Sequence, residues 1–347
     1  MEKTINFAII GCGVIGPTHA LSIIELPDTR LVAVCDIIKD RALNLAQTFS
    51  AYGHPVEAYT DYNEMLKRDD ITVVNVATPS GLHAQVGMAV ARAGKHVIVE
   101  KPMDVTLVKA DALIKTCQEA GVKLCCISQH RFDQATKELK KAVEENKLGL
   151  LNFGGAYTQW YRTQEYYDSG DWRGTWSLDG GGALMNQSIH YVDLLQYIMG
   201  PVEEVHAFYA TRAHTQIEVE DTAVASLKFK SGALGVIEGM TSAYPGFCAR
   251  LEIYGSDGGI TIENDLIKDW QLRCGEKPAP AEEIGNLIVG TSSAEIWQVS
   301  HRRQVQEMIQ AIREDRDPLV NGAEGRKPLE IILAIYESAR TGETVKL

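Results

Sequence analysis

The chain has 347 residues, 45% hydrophobic and 23% charged, a balance expected of a soluble globular enzyme and not of a disordered or fibrous chain. At roughly 150 residues per domain, that length predicts two domains. Acidic residues (46) outnumber basic ones (34), for a net charge of −12, which argues against binding a nucleic-acid phosphate backbone. No apolar run of about 18 residues is present to span a membrane. The start, Met1-Glu2-Lys3-Thr4-Ile5-Asn6-Phe7, lacks the pattern of a signal peptide, so a cytoplasmic location is expected. The seven cysteines are scattered without a CxxC pair. Reduced core cysteines are expected, with no zinc ribbon and no thioredoxin-like site.

In chain order, short β-branched runs at Ile5 to Ile10, Leu31 to Cys35, Val73 to Ala77, His96 to Val99 and Val122 to Ile127 read as buried strands. Amphipathic stretches at Ile15–Leu26, Asp40–Tyr52 and Leu82–Ala93 lie between them. Strand alternating with helix predicts an α/β, doubly wound parallel sheet, a Rossmann-type domain over residues 1–127. From residue 128 to 347 the texture changes. Asn152 to Arg162, Val205 to Arg212, Thr222 to Lys230, Ala233 to Thr241, Arg250 to Tyr254 and Gly259 to Glu263 alternate apolar with polar residues and are joined by tight glycine turns. That pattern predicts an α+β domain with a large, open, mostly antiparallel sheet. Helices are expected over Ala183 to Met199, Ile296 to Glu314 and Pro328 to Thr341, the C-terminal ones free to pack back on the first domain. Residues 276–292 read as the least structured stretch.

Directly after the first strand stands Gly11-Cys12-Gly13-Val14-Ile15-Gly16, opening a helix, and the second strand ends in Asp36, twenty positions beyond Gly16. The first glycine permits a tight turn, the second a close backbone approach to pyrophosphate, the third close helix–strand packing. The phosphate charge would sit at the helix N-terminus. Asp36 can accept hydrogen bonds from both adenosine ribose hydroxyls and would repel a 2′-phosphate, so the expected cofactor is NAD in preference to NADP. Ligands of such folds bind at the carboxyl ends of the strands. Thr78, Pro79, His83, Glu100 and Lys101 stand at or beyond those ends, with Pro102 stiffening the turn. Cys12 reads as a small filler and not as a nucleophile. No residues stand at metal-ligand spacing. His206 and His214 read as surface residues, and His301 as a cap or an oligomer contact.

These motifs, with Glu100-Lys101-Pro102 ahead of an antiparallel second domain, resemble the Gfo/Idh/MocA family over essentially the whole chain. The resemblance implies hydride transfer between a nicotinamide and a sugar, cyclitol or related polyol. It also implies homodimers or homotetramers formed through the second-domain sheets. It extends the cofactor contacts to Val14, Ile15, Ile37 and Gln129, and makes Lys101 a residue that reaches both cofactor and substrate. Family members commonly carry Asp-x-x-x-His on a second-domain helix; here the place holds Asn186-Gln187-Ser188-Ile189-His190. Asn186 can orient the imidazole but not stabilise its charge. His190, with an ordinary pKa of about 6.5, is the expected base, assisted by Lys101 and Asn186. Asp193 is an alternative partner that would make His190 structural.

The run Trp160-Tyr161-Arg162, Tyr166-Tyr167, Asp171-Trp172-Arg173-Gly174-Thr175-Trp176 and Asp179-Gly180-Gly181-Gly182-Ala183-Leu184-Met185-Asn186-Gln187 is similar to the branch of UDP-N-acetylglucosaminuronate and glycoside 3-dehydrogenases. It implies oxidation at C3 of a hexoside, sugar acid or nucleotide sugar, with Trp172 stacking on the sugar and Arg162 and Arg173 holding a carboxylate or phosphate. An inositol or free-sugar dehydrogenase, and an inactive NAD-binding regulator, remain open as alternatives.

Overall fold

The five apolar runs of the first part become strands, and a short edge segment adds a sixth: β1 Ile5–Ile10, β2 Thr29–Cys35, β3 Glu57–Tyr59, β4 Val73–Val76, β5 His96–Val99 and β6 Leu124–Cys126. They appear in a computed structural model that describes residues 4–279 and 294–347. All pair in parallel, in the order β3-β2-β1-β4-β5-β6. Both faces of this sheet are covered, so its strands read as unbroken apolar runs and not as alternating ones. The three-residue β3 carries no such run and is an edge strand that the sequence pattern passes over.

The second part forms an eight-stranded sheet from β7 Leu151–Gln159, β8 Val202–Ala210, β9 Thr222–Phe229, β10 Leu234–Met240, β11 Ala249–Gly255, β12 Gly258–Glu263, β13 Leu266–Leu272 and β14 Val345–Lys346. The order is β13-β12-β11-β7-β10-β9-β8-β14, with β7 and β10 parallel and the other pairs antiparallel. Burial alternates along β9 and β10, as in a sheet with one covered and one open face. Helix Ile189–Met199 lies on the covered face. A Cβ on Gly154 of β7 would press on Leu195 and Met199, and one on Gly239 of β10 on Leu184 and Ser188, so glycine makes the room for this approach.

The chain divides into two units, residues 4–129 with 294–326, and residues 130–279 with 327–347. In the first, Val305, Met308 and Ile309 of helix Ala294–Arg313 join one apolar cluster with Phe7, Ile9, Ile23 and Phe49. Gln304 ties that helix to the sheet: its Nε2 donates to the Cys126 carbonyl at 2.7 Å, and its Oε1 accepts from the Ser128 amide at 3.0 Å. The final helix runs over Gly322–Thr341, six residues longer at its start than the proline suggests. Asn321 is the reason: its Oδ1 accepts from the Glu324 amide at 3.1 Å, a side-chain cap of the first turn. The stretch 276–292 lies, from 280 onward, outside the described residues.

Candidate active site

The glycine turn connects β1 to helix Gly16–Ile24. Gly11 takes φ +103°, and a Cβ there would collide with the Ala77 carbonyl. Gly13 has nothing within 4 Å of its Cβ position, so the backbone is open at the point where a pyrophosphate must come close. Asp36 closes the far side, its Oδ2 accepting from the Cys12 amide and its Oδ1 from the Ile38 amide, both at 2.8 Å. A carboxylate has about four acceptor positions, so the Asp36 side chain shapes the turn and keeps capacity for hydroxyl donors. Val14 and Ile37 are 87% and 89% exposed on either side, apolar surface suited to a purine. Thr78 Oγ1 and Gln129 Oε1 are buried with no hydrogen-bond partner, polar atoms left for a ligand. These residues fit a dinucleotide. Burial pushes the Cys12 thiol up to about 12, with the nearby Asp36 carboxylate adding to it, which suits a filler and not a nucleophile.

At the lysine corner two expectations change. His83 is buried, with its ring nitrogens 2.6 Å from the Pro102 carbonyl and 2.7 Å from the Thr78 carbonyl. It braces the two strand ends against each other and turns no free ring nitrogen to a ligand. Glu100 is also buried. Its Oε1 meets His19 Nε2 at 2.9 Å and His301 Nε2 at 3.4 Å, and its Oε2 accepts from the Lys101 amide at 3.1 Å. Burial alone would raise its pKa, yet the two histidine hydrogen bonds hold it well below the usual carboxylate range. Asn75 Nδ2 donates to His19 Nδ1 at 2.9 Å, so the His19 proton sits on Nε2 and points at Glu100. The two rings and the carboxylate thus converge in the interior of the first unit. His301 is thus an interior brace and not a cap or an oligomer contact: helix Ala294–Arg313, which carries it, is part of the first unit. The half-buried Lys101 follows directly on this network.

In the second unit the helix carrying His190 opens with a π-helical stretch, Ala183–Ser188, before Ile189–Met199. Such widened turns often occur at functional sites. Glu220 secures this start: its Oε2 accepts from the Gly182 amide at 2.9 Å, and its Oε1 accepts from the Leu184 amide at 2.8 Å and from Tyr336 Oη at 3.1 Å. Asp193 is not the partner of His190. It is held bidentately by Arg131, Nε to Oδ2 at 2.7 Å and Nη2 to Oδ1 at 2.6 Å. His130 lies edge-on to the His190 ring, centroids 5.0 Å apart. Its Nδ1 faces Asp133 at 2.9 Å and Asp265 at 3.0 Å. Burial opposes its charge, but the Asp265 and Asp133 carboxylates outweigh burial and hold its pKa well above the ordinary value. A buried cation therefore stands beside His190. Asn186 Nδ2 donates to Asp179 Oδ1 at 2.7 Å.

The arginine–aromatic run forms a connected surface. The Arg173 guanidinium lies over Tyr166 at 4.3 Å and over Trp172 at 4.6 Å, and its Nη1 donates to Tyr166 Oη at 2.6 Å. Arg162 lies over Trp160 and Tyr166 at 5.3 and 5.4 Å. Gln187 Nε2 donates to the same Tyr166 hydroxyl at 3.0 Å, joining this surface to the His190 helix. His214, expected at the surface, is buried; its Nε2 meets the Arg162 carbonyl at 2.7 Å and its Nδ1 meets Asp221 at 3.0 Å. Nothing in the sequence pattern gives a role to His130, Asp265 or Glu220. Only Asp179, ahead of three glycines beside the helix, offers a signal.

The first unit is built to take a dinucleotide, and the class into which the molecule falls is that of NAD-binding oxidoreductases. Residues 5–128 match the oxidoreductase family, NAD-binding Rossmann fold, and residues 136–261 match the GFO/IDH/MocA C-terminal domain. The chain belongs to the GFO/IDH/MocA family. The WlbA dehydrogenase from Bordetella pertussis, solved in complex with NADH and UDP-GlcNAcA, is similar at 34% identity and a TM-score of 0.85, over 99% of each chain. Myo-inositol 2-dehydrogenase of Thermotoga maritima is 28% identical over 99% of this chain and 98% of its own. Levoglucosan dehydrogenase of Pseudarthrobacter phenanthrenivorans is 26% identical over 83% of this chain and 81% of its own. No helix among the described residues is long and apolar enough to cross a membrane.

Proposed function

We propose that the protein is an NAD-dependent dehydrogenase that oxidises a ring hydroxyl, at C3, of an anionic sugar such as a sugar acid or nucleotide sugar. The observation that carries this reading is the pair Arg162 and Arg173. Each guanidinium rests on aromatic rings, and among the described residues neither forms an ion pair. Two cations held in place without carboxylates suit a carboxylate or diphosphate, while Trp160 and Trp172 offer faces to a sugar ring. The 34% identical WlbA structure, with UDP-GlcNAcA bound, supports the same substrate class.

In this reading the glycine turn and Asp36 hold the dinucleotide, with Thr78 and Gln129 supplying their unpartnered oxygens. NAD held there would supply the hydride acceptor. His190 removes the hydroxyl proton, Asn186 orients the substrate or the imidazole, and Lys101 donates a hydrogen bond to the oxygen that becomes a carbonyl. NAD is preferred to NADP because Asp36 would face a 2′-phosphate as a like charge. The chain assembles as a homo-oligomer through the open sheet face. Register sets Phe208 across from Val224, and Leu234, Phe153 and Tyr254 in one row. Phe208 and Leu234 are 65% and 58% exposed, surface that a second sheet would cover.

The deciding experiment loads the protein with NAD and follows reduced cofactor across nucleotide sugars, sugar acids, neutral glycosides and inositols. The expected result is turnover of an anionic sugar, lost when Arg162 and Arg173 are both replaced by Ala. Preference for inositol would overturn the anionic reading in favour of the activity named for the Thermotoga relative. No reduction by any compound, with NADH still bound, would favour a regulator. His190→Ala should lower kcat by about 10²-fold or more while NADH affinity stays constant. Equal loss of both would make His190 structural.

A further inference from the structure

Within residues 181–196 every residue is buried except Asn186, which is partly exposed. Its amide has a committed orientation, because Nδ2 donates to Asp179 Oδ1 at 2.7 Å. The other oxygen of that carboxylate, Oδ2, accepts from the Gly174 amide at 2.9 Å. Asp179 is 2% exposed and sits on a fixed frame. Its own amide and that of Gly180 both donate to the Thr175 carbonyl at 3.1 Å, and Gly180 takes φ +80°. One buried carboxylate therefore joins the backbone next to Arg173 to the side chain one turn ahead of His190.

We propose that Asp179 is a positioning residue for the hydroxyl oxidation. By holding Nδ2 of Asn186 it fixes Oδ1 as the end turned to accept a hydrogen bond from substrate or imidazole, and by holding Gly174 it sets Arg173 in register with that acceptor. The proposal rests on the sugar-dehydrogenase reading above. It explains why an asparagine stands at position 186. The negative charge lies one layer back, and the residue in front must donate to it. An aspartate at 186 would bring two carboxylates to hydrogen-bond distance, where like charge keeps one of them from ionising. Restoring the family's more common residue should therefore harm this enzyme.

The test compares Asp179→Asn, Asn186→Asp and the double exchange Asp179→Asn/Asn186→Asp with the native chain, in melting temperature and in kcat and KM. Asn186→Asp should lower kcat/KM by about 10²-fold, the scale of a misplaced reacting group. It should also melt earlier, and by more at alkaline than at acidic pH, where the two carboxylates share a proton. Asp179→Asn turns one of the two oxygens that face Gly174 and Asn186 into a donor, so it too should lose kcat/KM, with a raised KM as Arg173 shifts. The double exchange restores a donor–acceptor match: the new amide at position 179 accepts from Gly174 through its oxygen, and its nitrogen donates to the new carboxylate at position 186. Melting temperature and kcat/KM should recover, the latter by about tenfold or more over Asn186→Asp. NADH affinity should be constant throughout. A double exchange no better than Asn186→Asp in both readouts, or an Asn186→Asp enzyme as active as native, would overturn the proposal. Absence of turnover in the native chain itself would overturn the sugar reading, and the melting pattern would still decide the Asp179–Asn186 contact.

Discussion

Gly11 and Gly13 stand two positions apart in one turn, yet the structure separates their roles. Gly11 needs its positive φ and the space beside the Ala77 carbonyl, whereas Gly13 has open space where a Cβ would go. Gly11→Ala should therefore destabilise the fold by about 1 kcal/mol or more, from strain together with the clash. Gly13→Ala should melt with the native chain but bind NADH at least about tenfold more weakly, since the methyl fills the approach reserved for pyrophosphate; calorimetry on both variants checks the split. Asp36 has a double task, since it also accepts from two backbone amides of the loop. Asp36→Ser should shift the ratio of kcat/KM for NAD over NADP towards NADP by about tenfold or more, measured with one sugar and both cofactors. The glycines and Asp36 are legible in the sequence because each role is local to the turn. The bracing parts of His83 and Glu100 are not, because their partners lie on other segments, with His19 and His301 distant in sequence.

The helix bearing Asn186 and His190 depends on a carboxylate from outside it. Glu220 is fully buried and accepts from Gly182, Leu184 and Tyr336 without a cation among those three partners. Burial raises its pKa from 4.5 to about 7, against the pull of those hydrogen bonds. Between those two values the folded chain binds more protons than the unfolded one, so stability falls as pH rises through that window and levels off above it. The fall amounts to about 3 kcal/mol as an order of magnitude. Glu220→Gln should remove that decline, seen as a flatter profile of melting temperature against pH, while the lost acceptor for the Gly182 amide lowers stability at acidic pH. The long helices show the limit of local signals. Alternation and apolar periodicity locate most elements to within a few residues, but Pro328 lies inside the last helix, whose cap is Asn321. Gly322 and Gly325 start that helix because Ile114 and Cys126 leave no room for a side chain there, a tertiary demand that outweighs helix propensity.

For the molecule as a whole, residues 294–326 return to the first unit and add apolar side chains to its core. Met308 is fully buried in the cluster that contains Phe7 and Ile9. Met308→Ala should cost about 2–5 kcal/mol, a loss that chemical denaturation would register and that NADH, by binding the folded state, would partly offset. The parallel and antiparallel sheets, the glycine turn, the acidic end of β2 and the lysine corner can be read from the chain because periodicity and backbone conformation depend on neighbours a few positions away. Folding alone set Asp193 against Arg131 and not against His190, put a charged His130 beside that imidazole, buried His214 and His301, and placed Asp179 behind Asn186. Those choices are made by desolvation: a buried polar group must find its partner wherever the fold brings one, and no spacing along the chain records where that is.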